Sequence, residues 1–271
     1  MTLIARPSPN FDARTRPVEL VVLHYTGMQS LEIALDRLTD PAPLAGRYPG
    51  PWQSAETPAD QPLGRVSAHY VVAEDGRVFA LVDEASRAWH AGASHWAGEG
   101  DVNSRSIGIE IANGGHDFGL PPYPQIQTEA VIGLVGDICA RHKLAPHRVV
   151  GHCDIAPARK ADPGEHFPWA RLAAAGLALA PLRATAAFGS VLAAEGAEGE
   201  GVLAAQEHLA AIGYACAQNG LFDSTMTAIV TAFQRRYRPA KVDGALDQQT
   251  ISLIADIADQ SIRLSISRLR S

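Results

Sequence analysis

The chain has little cysteine. Cys139, Cys153 and Cys216 are the only three in 271 residues. The number is odd and no pair has CxxC spacing, which excludes a disulfide framework and a zinc ribbon. There is no excess of positive charge either. Lys and Arg total 23 against 29 Asp and Glu, a net charge of −6, and no long basic run exists, so a general nucleic-acid binder is excluded. No apolar stretch approaches the roughly 18 residues of a membrane span. The opening residues, Met1 to Pro17, contain no apolar run of signal-peptide length and are broken by prolines and arginines. With Met1 as the start, this predicts a cytoplasmic protein.

What is present fits a core domain of ordinary size plus a smaller module. Residues 1–16 read as an irregular lead-in. Val18 to Thr26 is a nearly continuous apolar run that predicts a buried strand ending near His24. Ser30 to Leu38 fits a helix with Ser30 as N-cap. Residues 39–64, rich in Pro, Gly, Ala and Gln, read as a long surface loop. Ser67 to Val72 and Arg77 to Val82 alternate as strands around the turn Glu74-Asp75-Gly76. Arg87 to Trp96 packs two histidines and two tryptophans among small residues, which suits either a pocket-lining loop or aromatic packing beneath a loop. Ser106 to Ile111 alternates as a strand with Glu110 among isoleucines. A buried carboxylate there would need a partner or a task, whereas a solvated strand face would also explain it. Thr128 to His142 is the clearest helix, with Val131, Leu134, Val135, Ile138 and Cys139 at helical spacing.

The stretch from Gly151 to Gly164 concentrates chemistry. It holds His152, Asp154, Lys160 and Asp162 among prolines and glycines, so it reads as a loop following the short strand Arg148 to Val150. Asp162 before Pro163 is equally a turn former, and Cys153 is a nucleophile or, more commonly, a small half-buried thiol. A catalytic zinc needs about three protein ligands and an open position. His24, His152 and Asp162 could supply them, although spacing alone does not single them out among ten histidines.

Taken together, several segments resemble the zinc-dependent N-acetylmuramoyl-L-alanine amidases of type 2, in the order that family has them. They are Val22-Leu23-His24-Tyr25-Thr26, Ser67-Ala68-His69-Tyr70, Asp75-Gly76, Ala88-Trp89-His90-Ala91-Gly92, Asn103 with Ser106 to Glu110, and Gly151-His152 through Lys160-Ala161-Asp162-Pro163-Gly164. The resemblance covers roughly residues 17–175. It implies zinc held by His24, His152 and Asp162, with Asp162 as in the AmpD-like and AmiD-like branch where phage members use cysteine. It implies Glu110 as general base and Lys160 as the group that stabilises the oxyanion. Trp89, His90 and Asn103 are expected to line the substrate groove. Phage members carry a catalytic tyrosine where this chain has Ala68, which places more of the proton transfer on Glu110.

Residues 201–264 read as three helices with a short internal repeat. The turns Asn219-Gly220 and Asp243-Gly244 are each followed by an apolar residue and an aspartate. This part resembles a small peptidoglycan-binding module, although Met226 stands where that module usually has threonine, which bears on sugar binding more than on the fold. The expected architecture is α/β, a central mixed sheet flanked by helices, plus a three-helix C-terminal domain. The expected division is a catalytic domain at 1–180, a linker at 181–200 and the helical domain at 201–271. The implied activity cleaves the amide between N-acetylmuramic or 1,6-anhydro-N-acetylmuramic acid and L-alanine, with muropeptides or murein as partners. A rival expectation is a non-catalytic peptidoglycan-recognition protein, which typically lacks a zinc ligand. A wall-binding module argues for the periplasm and against the cytoplasm.

Overall fold

The structure, a computed structural model, describes residues 2–50, 53–54, 56–183 and 188–268. Parts of the expected 39–64 loop (51, 52 and 55), of the expected linker (184–187) and of both chain ends lie outside the described residues. The chain divides into two compact units. One gathers Met1–Gly92, Asp101–Leu144 and Asp162–Pro168, and the other gathers Ala93–Gly100, Ala145–Ala161 and Trp169–Ser271.

The first unit is built on strands β1 (Leu3–Ala5), β3 (Leu20–Tyr25), β4 (Tyr70–Val72), β5 (Val78–Ala80) and β7 (Ser106–Ile111). With β8 (Val149–Gly151) the sheet order is β1-β5-β4-β7-β3-β8. It is mixed: β1 with β5, β4 with β7 and β3 with β7 are parallel, and β4 with β5 is antiparallel. The apolar run expected at Val18 to Thr26 becomes β3, whose Leu20, Val21, Val22 and Leu23 are fully buried. Each such side chain contributes roughly 1.5–3 kcal/mol by leaving water. In β7 alternation sorts the faces. Ile107, Ile109 and Ile111 point one way and are fully buried, while Ser106, Gly108 and Glu110 point the other.

The segment read as an irregular lead-in is structured. β1 joins the sheet edge, and β2 (Phe11–Ala13) forms a two-stranded ribbon with β6 (Ser86–Ala88). Arg14 explains why it holds: its guanidinium donates to the carbonyls of Glu84, Ser86, Ser104 and Ser106. An isolated arginine in a polar stretch gives no hint of such a clamp.

Helix α1 (Leu31–Thr39) starts as expected, with the Ser30 hydroxyl accepting the Ile33 N–H. Residues 43–45 are tied to 61–63 by the backbone bonds Ala45 N–H to Gln61 O and Leu63 N–H to Pro43 O. Helix α2 (Gln125–His142) begins three residues before the expected Thr128, directly after Pro124. Proline cannot continue a helix from within but tolerates its start.

In the second unit α3 (His152–Ile155) is one helical turn where a loop was expected. The Asp154 carboxylate accepts the Gly151 N–H at 2.8 Å, satisfying a donor that glycine cannot cap itself. After α4 (Trp169–Ala174) come the three expected helices, α5 (Glu200–Ile212), α6 (Ser224–Tyr237) and α7 (Gln248–Arg268). The internal repeat has a physical basis. Gln206 accepts the N–H groups of Asn219 and Gly220 and donates to Leu221 O. Gln234 does the same with Asp243, Gly244 and Ala245 O. Among the described residues no helix is long and apolar enough to cross a membrane.

Candidate metal centre

His24 lies near the C-terminal end of β3, and the parallel register sets it level with Glu110 on β7. Register partners share a face, so the imidazole and the carboxylate project on the same side of the sheet. His24 Nδ1 is 3.1 Å from Asp162 Oδ2, and both side chains are buried.

With His90 neutral, one tautomer of His24 satisfies the hydrogen bonds around it. The Ser106 hydroxyl donates to Val102 O at 2.6 Å. Its oxygen is then the acceptor for His90 Nε2–H at 3.1 Å. A neutral His90 therefore has a bare Nδ1, which accepts from His24 Nε2–H at 3.0 Å. This leaves the His24 Nδ1 lone pair facing an ionised carboxylate. Two acceptors at 3.1 Å repel unless a cation or a proton lies between them.

His152 opens α3 and is 3% exposed. His24, His152 and Asp162 each offer one ligand atom, and the three atoms lie within 4.8 Å of one another. Two imidazoles and one carboxylate are the hard-to-borderline donor set that a divalent zinc accepts, with one position left for water or substrate. The donor set and the acceptor pair thus fit a metal ion.

The remaining expected residues fall differently. Lys160 is half-buried in the turn after α3, its N–H bonded to Ala156 O. His90 and Asn103, expected to line the groove, are 8% and 7% exposed. His90 orients His24, and Asn103 Oδ1 accepts the N–H groups of His90 and Ala91. Trp89 is half-buried, donates to Asp12 through Nε1 at 2.7 Å and carries the Arg65 guanidinium 4.9 Å above its ring.

Three contributors escaped sequence reasoning. Tyr123 donates to Pro163 O at 2.7 Å, next to Asp162. Burial, with the charges of Asp162, Tyr25 and Glu110, drives its hydroxyl pKa well up, so it remains a donor. Gly108 lets His90 approach, since a Cβ there would stand 2.3 Å from the imidazole. His69 lies on the other side, its Nδ1 accepting the Gly108 N–H at 3.0 Å. Burial pushes the His69 pKa down to about 4. Its Nε2 lies 3.2 Å from Ser86 O and 2.9 Å from Arg14 Nη2. A glycine inside a β-strand was the available signal of close approach.

Residues 14–165 match the N-acetylmuramoyl-L-alanine amidase family, and residues 198–254 match a peptidoglycan binding domain. The chain belongs to the N-acetylmuramoyl-L-alanine amidase family, and it is an amidase of that kind. It is 32% identical over 246 residues to the N-acetylmuramoyl-L-alanine amidase AmiD of Escherichia coli, covering 86% of this chain and 79% of that one. It is 33% identical to the 1,6-anhydro-N-acetylmuramyl-L-alanine amidase AmpD of Haemophilus influenzae, over 60% of this chain and 86% of the relative. Among solved structures, AmiD from E. coli in complex with the substrate anhydro-N-acetylmuramic acid-L-Ala-D-gamma-Glu-L-Lys superposes with a TM-score of 0.70 at 29% identity, covering 90% of each chain.

Proposed function

We propose that this chain is a zinc amidase that releases the stem peptide from soluble anhydro-muropeptides, with the ion held by His24, His152 and Asp162. The observation that carries the metal is the convergence of those three ligand atoms within 4.8 Å, with a lone pair and a carboxylate facing each other at its centre. When bound, zinc supplies Lewis acidity to the amide carbonyl and lowers the pKa of a water to about 7.

The chain's own groups do the rest. Glu110, level with His24 across the sheet, takes a proton from the attacking water and returns it to the leaving amine. An amide nitrogen leaves only when protonated, so this second transfer matters as much as the first. Lys160 brings a positive charge to the carbonyl oxygen as it becomes anionic, an interaction that strengthens in the transition state. His90 keeps the His24 lone pair directed outward by accepting the opposite ring proton.

The relatives support the substrate class: the AmpD proteins are 1,6-anhydro-N-acetylmuramyl-L-alanine amidases, and AmiD is solved with an anhydro-muramyl peptide. A cytoplasmic location goes with soluble fragments. The peptidoglycan binding match at 198–254 favours intact wall as a second substrate. Incubating purified protein separately with a defined anhydro-muropeptide and with insoluble sacculi decides between them. Peptide release from the soluble fragment is expected, and release from sacculi alone would overturn the recycling assignment.

A further inference from the structure

The residues around His152 are held by side chains from far along the chain. Asp154, two positions after it and 1% exposed, accepts from the Tyr214 hydroxyl at 2.7 Å on Oδ1. Its Oδ2 accepts from the Gly151 N–H and from Arg236 Nη1 at 3.0 Å. Arg236 also donates through Nη2 to Val149 O at 3.0 Å. Its guanidinium stacks 4.0 Å above the Trp169 ring, and its side chain is 4% exposed. Arg236 therefore grips the strand end before His152 and the helix turn after it at once.

Tyr214 and Arg236 belong to the C-terminal helical module. Arg236 is in the last turn of α6, and Tyr214 follows the glycine that ends α5. A further tie runs beside them. Ala97 N–H donates to Gly213 O at 2.7 Å, His95 N–H donates to Ile155 O at 2.9 Å, and Trp96 meets the Tyr214 ring edge-on at 5.0 Å. Gly213, at φ +132°, would place a Cβ 2.6 Å from the Trp96 indole, so the close fit needs glycine. A fully desolvated carboxylate with three donors is a rigid junction, because losing any donor leaves buried charge uncompensated.

We propose that Arg236 and Tyr214 are positioning residues for His152: through Asp154 they fix the one-turn helix that aims its imidazole, so the C-terminal module is a working part of the metal centre. The proposal rests on the assignment of His152 as a metal ligand. It makes the module a brace for the ligand set, a role separate from any grip on the wall.

The test uses the full-length chain and reads metal binding directly. Zinc affinity is measured by competition with a chromophoric chelator, and ligand geometry by the visible absorption of the cobalt-substituted protein. Arg236→Met is expected to weaken zinc binding by about 10–100-fold and to change the cobalt spectrum. Arg236→Lys, which keeps the charge but not the two-pronged grip, should fall between Met and the parent. Tyr214→Phe, missing one oxygen, should show a smaller change of the same sign. Arg238→Met is the control. It breaks a buried ion pair with Asp247 at 2.6 Å inside the module and should leave zinc affinity and spectrum as they were. Parent-like affinity and spectrum in folded Arg236→Met would overturn the proposal, as would an equal loss in Arg238→Met. If Arg236→Met does not fold, Tyr214→Phe and Arg236→Lys decide by the same readings. A parent protein that binds no zinc would remove the metal reading itself, an outcome distinct from a parent that binds while the variants match it.

Discussion

His24 and His152 are assigned the same task and are held in unlike ways. His24 grows out of β3, paired in register with β7, and its orientation is set by His90 and Ser106. His152 stands on a single helical turn whose Asp154 is gripped by Tyr214 and Arg236, 60 and 82 positions away. The first arrangement is stiff because sheet register and a neutral proton chain determine it. The second is stiff only while a buried ion pair stays closed. The two proposed ligands therefore draw on different parts of the chain for their precision.

The largest effect that sharpens this contrast is chemical. Glu110→Gln leaves the ligands alone and removes the base beside His24. Turnover should drop by about 10²–10⁴-fold with zinc content unchanged by elemental analysis. Undiminished turnover would separate Glu110 from the reaction.

A second effect concerns the support on the sheet side. His69, whose pKa burial lowers to about 4 in the fold, keeps its proton off while the unfolded chain takes one up below about pH 6.5. Stability is then full above that pH and declines as pH falls from 6.5 towards 4, by up to about 3 kcal/mol. Denaturant titrations over that window should show the slope, and His69→Gln should lose it.

Next comes packing. Gly108→Ala drives a methyl into the His90 ring and should cost about 1–3 kcal/mol. Adding His90→Ala to it should recover part of that loss, a coupling a double-mutant cycle reads out. The smallest is His90→Ala alone, which frees the His24 tautomer and should weaken zinc binding by about 10–100-fold. If His90→Ala leaves zinc affinity untouched, the proton chain is not what directs His24.

Legibility in the sequence divides along the same line. The strand carrying His24, the alternation that separates Glu110 from Ile109 and Ile111, and the loop bearing Asp162 are local patterns, and each was readable from adjacent residues. The helical faces of α5, α6 and α7 and their repeated turns were readable for the same reason. What a pattern cannot give is direction in space. His90 and Asn103 were expected in the groove from the family resemblance, and their polar atoms bond His24 and the backbone N–H groups of His90 and Ala91. Asp154 was legible only as one charged residue of a loop, and no pattern singled out Arg236 on α6. Arg14 lay in a segment without periodicity. For Asp154, Arg236 and Arg14 the deciding partner lies 60 or more residues away, and no period or spacing encodes it.

The most direct measurement is mass analysis of the products from a defined anhydro-muramyl peptide, before and after chelation and again after zinc is restored. The account predicts a free stem peptide beginning with L-alanine, absent after chelation and recovered with zinc. Release of that peptide at full rate in the chelated protein, or cleavage at any other bond, would contradict it.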